Sequence, residues 1–108
     1  MESIKCKYCI APENGGGKLK KVTAEIYDNR IDVFKKSAWV TILFGAIGSA
    51  IEGKGSLDAT ISSEIVTAYR VDGKNYFLYL QDGNVATFNV SDKNANAMTN
   101  FLAGKPVK

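Results

Sequence analysis

Residues 65–90 read IVTAYRVDGKNYFLYLQDGNVATFNV, a pattern that predicts three antiparallel strands joined by two tight turns. The Asp-Gly pair at 72–73 is the strongest hairpin signal, because a type I′ turn needs a positive φ at both central residues. Between the turns, Tyr76, Leu78 and Leu80 alternate with residues that face the other way, as expected for a strand with two different faces. The stretch therefore predicts a β-meander.

The same two-residue alternation occurs earlier in the chain. Residues 19–28 and 31–35 predict a hairpin whose turn lies at 28–29, since Asp-Asn is a common turn sequence. Residues 57–61 alternate in the same way and predict a further strand. Together with the meander, these segments indicate a mostly β (α+β) domain.

The last part of the chain predicts a helix over about 91–103. Ser91 is a good N-cap residue, and Met98 and Phe101 lie on one apolar stripe at helical spacing. Gly104 follows where such a helix would end. We expect this helix to cap the sheet.

Residues 37–51 contain no charged side chain. Their apolar residues follow a helical repeat and predict a short apolar helix over about 41–52, with a strand over 38–44 as the alternative. Even if all fifteen uncharged residues were helical they would span about 22 Å, too short for a bilayer core of about 30 Å. Packing on the sheet, contact with another chain and insertion into a membrane surface are the open interpretations. The predicted interface residues are Trp39, Ile42, Leu43, Phe44, Ile47 and Ile51.

The first seventeen residues contain Cys6-x-x-Cys9 and three consecutive glycines. The glycines predict a flexible N-terminal segment over 1–17, followed by a folded domain over 18–108. Two thiolates at this spacing can reach one zinc ion, but a closed site needs four ligands. The motif resembles half of a zinc ribbon, so zinc shared between two chains, redox activity and inert thiols are the alternatives.

Charge and composition argue against several classes of function. The 108 residues carry a net charge of +3 and include no His. The excess of Lys and Arg falls in residues 1–36 and predicts solvated lysines rather than a phosphate-binding or nucleic-acid-binding face. Carboxylates such as Glu25 occupy predicted turns and outward positions, and no nucleophile has a base beside it in the sequence. We therefore expect no enzyme activity and, without an apolar N-terminal signal, a cytoplasmic protein.

Three segments carry a family resemblance: AEIYDNRIDV at 24–33, FGAIGSAI at 44–51 and ATISSEIV at 59–66. Through them the chain resembles small bacterial pleckstrin-homology-like (PH-like) domain proteins. The resemblance implies a partly open antiparallel barrel of six to seven strands with a C-terminal capping helix. It implies no particular activity, because such barrels bind peptides, lipids or other subunits. The strand pattern alone predicts a partly open barrel or a sandwich.

These observations favour a non-enzymatic interaction module that associates with itself or with a protein partner through the apolar insertion. The alternative is a peripheral membrane module, in which Lys35, Lys36 and Lys54 border the apolar segment as interfacial anchors do. A third hypothesis is a dimer held together by zinc bound to Cys6 and Cys9.

Overall fold

The computed structural model describes residues 1–35 and 56–108, and these residues form seven β-strands and a short C-terminal helix. Two 3-10 helices occur at Ser63–Ile65 and Asp92–Asn94. The remaining elements are β1 (Glu2–Pro12), β2 (Lys20–Ile26), β3 (Arg30–Lys35), β4 (Ser56–Ser62), β5 (Val66–Asp72), β6 (Asn75–Leu80), β7 (Asn84–Asn89) and α1 (Ala95–Phe101).

All seven strands belong to one antiparallel sheet, in the order β4-β3-β2-β1-β7-β6-β5. Two meanders share β1, which pairs with β2 through residues 2–8 and with β7 through residues 7–12. Because β4 and β5 lie at opposite edges of this order, the sheet is not closed. The predicted class, mostly β with a partly open arrangement of six to seven strands, is therefore confirmed.

The N-terminal segment is the main correction to the sequence prediction. Residues 2–12 are not a flexible tail but the middle strand of the sheet, so the predicted boundary between 1–17 and 18–108 is wrong. The strand forms because Ile4, Cys6 and Tyr8 alternate with exposed residues and fill the core face. The glycine-rich stretch belongs to the connection between β1 and β2.

One hydrophobic cluster covers the inward face of the sheet. The inward residues of every strand contribute to it, and Phe88, Leu78 and Ile31 are fully buried. Met98 and Phe101 close the cluster from the helix side, as the apolar stripe predicts. The core therefore depends on contacts between β1, both meanders and α1.

The turns and the helix agree with the sequence in position and differ in detail. Gly73 has φ +63°, but no non-glycine residue in the described part of the chain has a positive φ. The hairpin turn after Asp72 is therefore type II′ and not type I′, because only its first central residue has a positive φ. Ser91 makes no side-chain capping bond, and the predicted helix begins as a 3-10 turn before α1. None of the helices in residues 1–35 and 56–108 is long and apolar enough to cross a membrane.

The two ends of the sheet are different. Helix α1 lies near Glu2 and Ile26, where β1 begins and β2 ends. At the other end of β2, strand β3 stops at Lys35 and β4 starts at Ser56, and these two residues are register partners. The predicted apolar helix over 41–52 lies outside the described residues, and the connection that contains it joins the sheet at this second end.

Candidate functional site

The structure does not bring the two cysteines together. Cys6 and Cys9 are three residues apart on β1, so their side chains point to opposite faces of the sheet. Cys6 lies in the core with 9% of its surface exposed. Cys9 faces outward beside Gly17, where a Cβ on the glycine would lie 2.8 Å from Cys9 Sγ. The two thiols therefore do not converge on one metal position.

The protonation of Cys6 leads to the same conclusion. Burial raises the pKa of the Cys6 thiol to about 12, so the thiol stays protonated near neutral pH. Metal binding and disulfide exchange both need the thiolate. A zinc ion shared between chains through Cys6 and Cys9 would require Cys6 to leave the core, which is incompatible with this fold. Among the described residues, no group of His, Cys, Asp and Glu side chains is placed to hold a metal ion.

The residues predicted to form an interface lie outside the described part of the chain. They are Trp39, Ile42, Leu43, Phe44, Ile47 and Ile51. The structure does define where their segment is attached, because Lys35 and Ser56 are opposite each other on neighbouring strands. Residues 36–55 therefore connect two neighbouring strands, β3 and β4, at the same end of the sheet.

A cavity of about 430 Å³ lies at this attachment point, and we refer to it as the end cavity. Lys18, Lys20 and Lys35 line it together with Tyr8 and Asp58. The Tyr8 hydroxyl donates a hydrogen bond to the Asp58 carboxylate and so ties the middle strand to edge strand β4. Burial, followed by this hydrogen bond, raises the pKa of Tyr8. The end cavity therefore combines a fixed Tyr–Asp pair with three lysines.

A second cavity, of about 440 Å³, lies on the outward side of the sheet, and we refer to it as the outer cavity. Lys5 and Lys7 on β1, Lys21 and Thr23 on β2 and Asn89 on β7 line it. This grouping is not predicted from the sequence, because residues 2–12 were not predicted to form a strand. The alternation of lysines with Ile, Cys and Tyr along β1 is the signal that identifies it.

Glu25 is buried, contrary to its predicted exposure. It is 6% exposed, and the Tyr27 hydroxyl donates to its Oε1 at 3.1 Å. Asp32 lies directly opposite on β3 and pairs with the Arg30 guanidinium at 3.3 Å. Arg30 also lies over the Tyr27 ring, 4.0 Å from its centroid. These contacts form a polar network that stabilises the outward face of β2 and β3.

Comparison with known proteins does not assign the chain to a family. No protein-family model matches the chain, and no curated protein sequence is significantly similar to it. Function must therefore be inferred from the two cavities and from the place where residues 36–55 join the sheet.

Proposed function

We propose that this chain is a non-enzymatic binding module with a PH-like fold, which associates with a second copy of itself or with another protein through residues 37–51. The observation that carries the proposal is the position of this uncharged segment. It is inserted between β3 and β4 at the end of the sheet opposite α1. A binding segment held at both ends by a rigid sheet loses less conformational entropy on association than a free tail does.

Two features of the fold support the PH-like part of the proposal. The sheet consists of two meanders joined through β1, and a C-terminal helix covers one end. The other end carries the β1–β2 and β3–β4 connections, and connections of this kind are where such scaffolds present binding residues. The proposal also places the module in the cytoplasm, where free thiols such as Cys6 and Cys9 persist.

The composition of the segment supports an interface. Within residues 1–35 and 56–108, a continuous core of twenty buried residues is already formed. Residues 37–51 carry six further large apolar side chains, those of the predicted interface residues. Burying a side chain of this kind against a partner contributes about 1.5–3 kcal/mol relative to leaving it in water. A few such residues are enough to hold a dimer together.

The test is the light-scattering mass of the full chain and of two charge variants. We expect a multiple of 11.7 kDa for the unmodified chain and 11.7 kDa for Ile47→Glu, with the same β-type circular dichroism. Val71→Glu is the matched control, because Val71 is an exposed apolar residue on β5, outside the segment. A mass of 11.7 kDa for the unmodified chain would refute self-association. An equal loss of mass in both variants would refute the assignment to residues 37–51.

A second candidate function is binding to an anionic membrane surface through the same segment. The end cavity favours it, because Lys18, Lys20 and Lys35 gather where the segment joins the sheet. Lysines beside apolar residues add electrostatic attraction to insertion, as in other interfacial segments. Cosedimentation with phosphatidylglycerol vesicles at low salt tests this function. Binding that is lost in Ile47→Glu and weakened in Lys35→Gln would support it, and no binding would refute it.

A further inference from the structure

The C-terminal residues cover the outer edge of β5. In the order of the described strands β5 is an edge strand, and residues 106–108, which we refer to as the strap, run along it. The Tyr69 amide donates to the Pro106 carbonyl oxygen at 3.0 Å, and the Lys108 amide donates to the Tyr69 carbonyl oxygen at 2.8 Å. Val107 and Tyr69 are thus partners in a short parallel bridge. The strap occupies main-chain groups through which a further strand would pair with β5.

The contacts of the strap lie at the surface of the protein. The chain just before it is fixed, because Lys105 Nζ donates to the Ser63 carbonyl oxygen. At its end, the Lys108 ammonium group pairs with Glu13 at 3.5 Å, but the two side chains are 49% and 60% exposed. Ion pairs as exposed as this one contribute little to stability. Val107 is also exposed, so it adds little apolar burial. The strap can therefore open while the sheet and α1 stay folded.

The edge beneath the strap is complementary to itself. When two β5 strands pair in antiparallel orientation with Tyr69 at the centre, Arg70 of one copy lies opposite Ala68 of the other. Asp72 then falls at the end of the paired stretch, so no like charges lie directly opposite each other. A pairing centred on Arg70 would place two guanidinium groups opposite each other, which is unfavourable. The charges of β5 therefore select the register centred on Tyr69.

We propose that the strap keeps β5 from pairing with β5 of a second copy, and that release of the strap opens a second surface for self-association. In the paired form, Tyr69 exchanges its hydrogen bonds to the strap for hydrogen bonds to the second copy, and two seven-stranded sheets join edge to edge. Covering a sheet edge with the chain itself is one of the ways in which proteins prevent such pairing. This surface contains no residue of 37–51 and goes beyond the function proposed above, so either proposal can fail without the other.

The test begins with release of the strap in the full-length chain. Lys108→Pro removes the amide that donates to the Tyr69 carbonyl oxygen, and it removes the ammonium group from Glu13 and from the Tyr79 ring, whose centroid is 4.1 Å away. The change is at the last residue, and circular dichroism should show an unchanged sheet. In a dilute sample we expect the Tyr69 amide to exchange about tenfold faster or more, because it loses its partner in the strap.

The matched control is Val107→Pro. Val107 lies between the two residues of the strap that bond to Tyr69, and its own amide faces away from β5. We expect Tyr69 exchange in this variant to stay within about twofold of the unmodified chain. Both variants are also made together with Ile47→Glu, which suppresses the association proposed for residues 37–51, so the two surfaces are tested separately.

The second measurement is the light-scattering mass of concentrated samples. Lys108→Pro with Ile47→Glu should have twice the mass of Ile47→Glu alone, and its Tyr69 amide should be protected again. Adding Val71→Pro should return the mass to 11.7 kDa, because the Val71 amide lies on the same edge as that of Tyr69 and a proline there leaves the pairing with β6 intact.

Three results would overturn the proposal. The first is Tyr69 exchange that does not change in Lys108→Pro, since the strap would then not control this edge. The second is a mass that does not double after release, or that stays doubled after Val71→Pro. The third is an equal doubling of mass in the control Val107→Pro.

Discussion

The position of β1 predicts that its two thiols react very differently. In a Cys9→Ser variant, the remaining thiol is Cys6, which lies in the core with a pKa raised from 9.0 to about 12. Only the thiolate attacks a disulfide reagent, and three units of pKa lower its population roughly a thousandfold at pH 8. Burial slows the reaction further, because the reagent must wait for the strand to open.

The assay compares the rate of Cys6 modification by a chromogenic disulfide reagent with and without denaturant, at one pH. We expect the folded Cys9→Ser protein to react at least about thirtyfold more slowly than the unfolded protein from the pKa shift alone, because the greater nucleophilicity of the more basic thiolate offsets part of its lower population. Cys6→Ala is the matched control, since its remaining thiol, Cys9, lies on the outward face. A folded Cys9→Ser protein that reacted within tenfold of its unfolded rate would refute the placement of β1. It would return residues 1–17 to a flexible segment.

Three further predictions follow from packing, charge and protonation. Phe88→Ala should lower the free energy of unfolding by about 3–5 kcal/mol in urea titration, because the ring is fully buried and leaves a cavity. Lys21→Gln should raise the free energy of unfolding by about 0.2–1 kcal/mol, and with it the melting temperature, because it removes the like charge opposite Lys7. A lower melting temperature would contradict this. Stability should fall as pH rises above 9.0, because the unfolded Cys6 thiol loses its proton there while the folded thiol keeps it up to about 12. The slope is at most about 1.4 kcal/mol per pH unit from this group and should decrease in Cys6→Val.

The sequence predicted the elements whose signals are local. The meander of β5, β6 and β7 follows from alternation and two turns, and each turn contains a glycine with positive φ, Gly73 or Gly83. The C-terminal helix follows from its apolar stripe and from Gly104, which has φ +85°. These features need no knowledge of distant residues, because a turn or a helical repeat is fixed within a few positions.

The sequence prediction failed for β1 because two other signals overlap its strand pattern. The cysteine spacing indicated a metal motif, and the glycines at 15–17 indicated a linker. The strand is stabilised by pairing on both sides, with β2 and β7, and the β7 partner lies more than seventy residues away in the chain. Local propensity is weaker than such tertiary pairing in deciding whether a segment becomes a strand.

The outer cavity could not be predicted from the sequence, for the same reason. Lys7 and Lys21 come together only through the register of β1 and β2, which the sequence pattern does not set across a glycine-rich connection. The burial of Glu25 also depends on its neighbours in the fold, since Tyr27, just after β2, donates to it and Asp32 lies opposite it on β3. Alternation along β2 correctly assigned Glu25 to the outward face and gave no information about what covers that face.

Hydrogen exchange of the full chain at two protein concentrations tests the binding role of residues 37–51 most directly. We expect amides in this segment to exchange more slowly in the concentrated sample, where the partner copy is bound, than in the dilute one. The amides of β5 (Val66–Asp72) should exchange equally in both samples and serve as the internal reference. Equal exchange of residues 37–51 at both concentrations, with a mass of 11.7 kDa throughout, would contradict self-association through this segment.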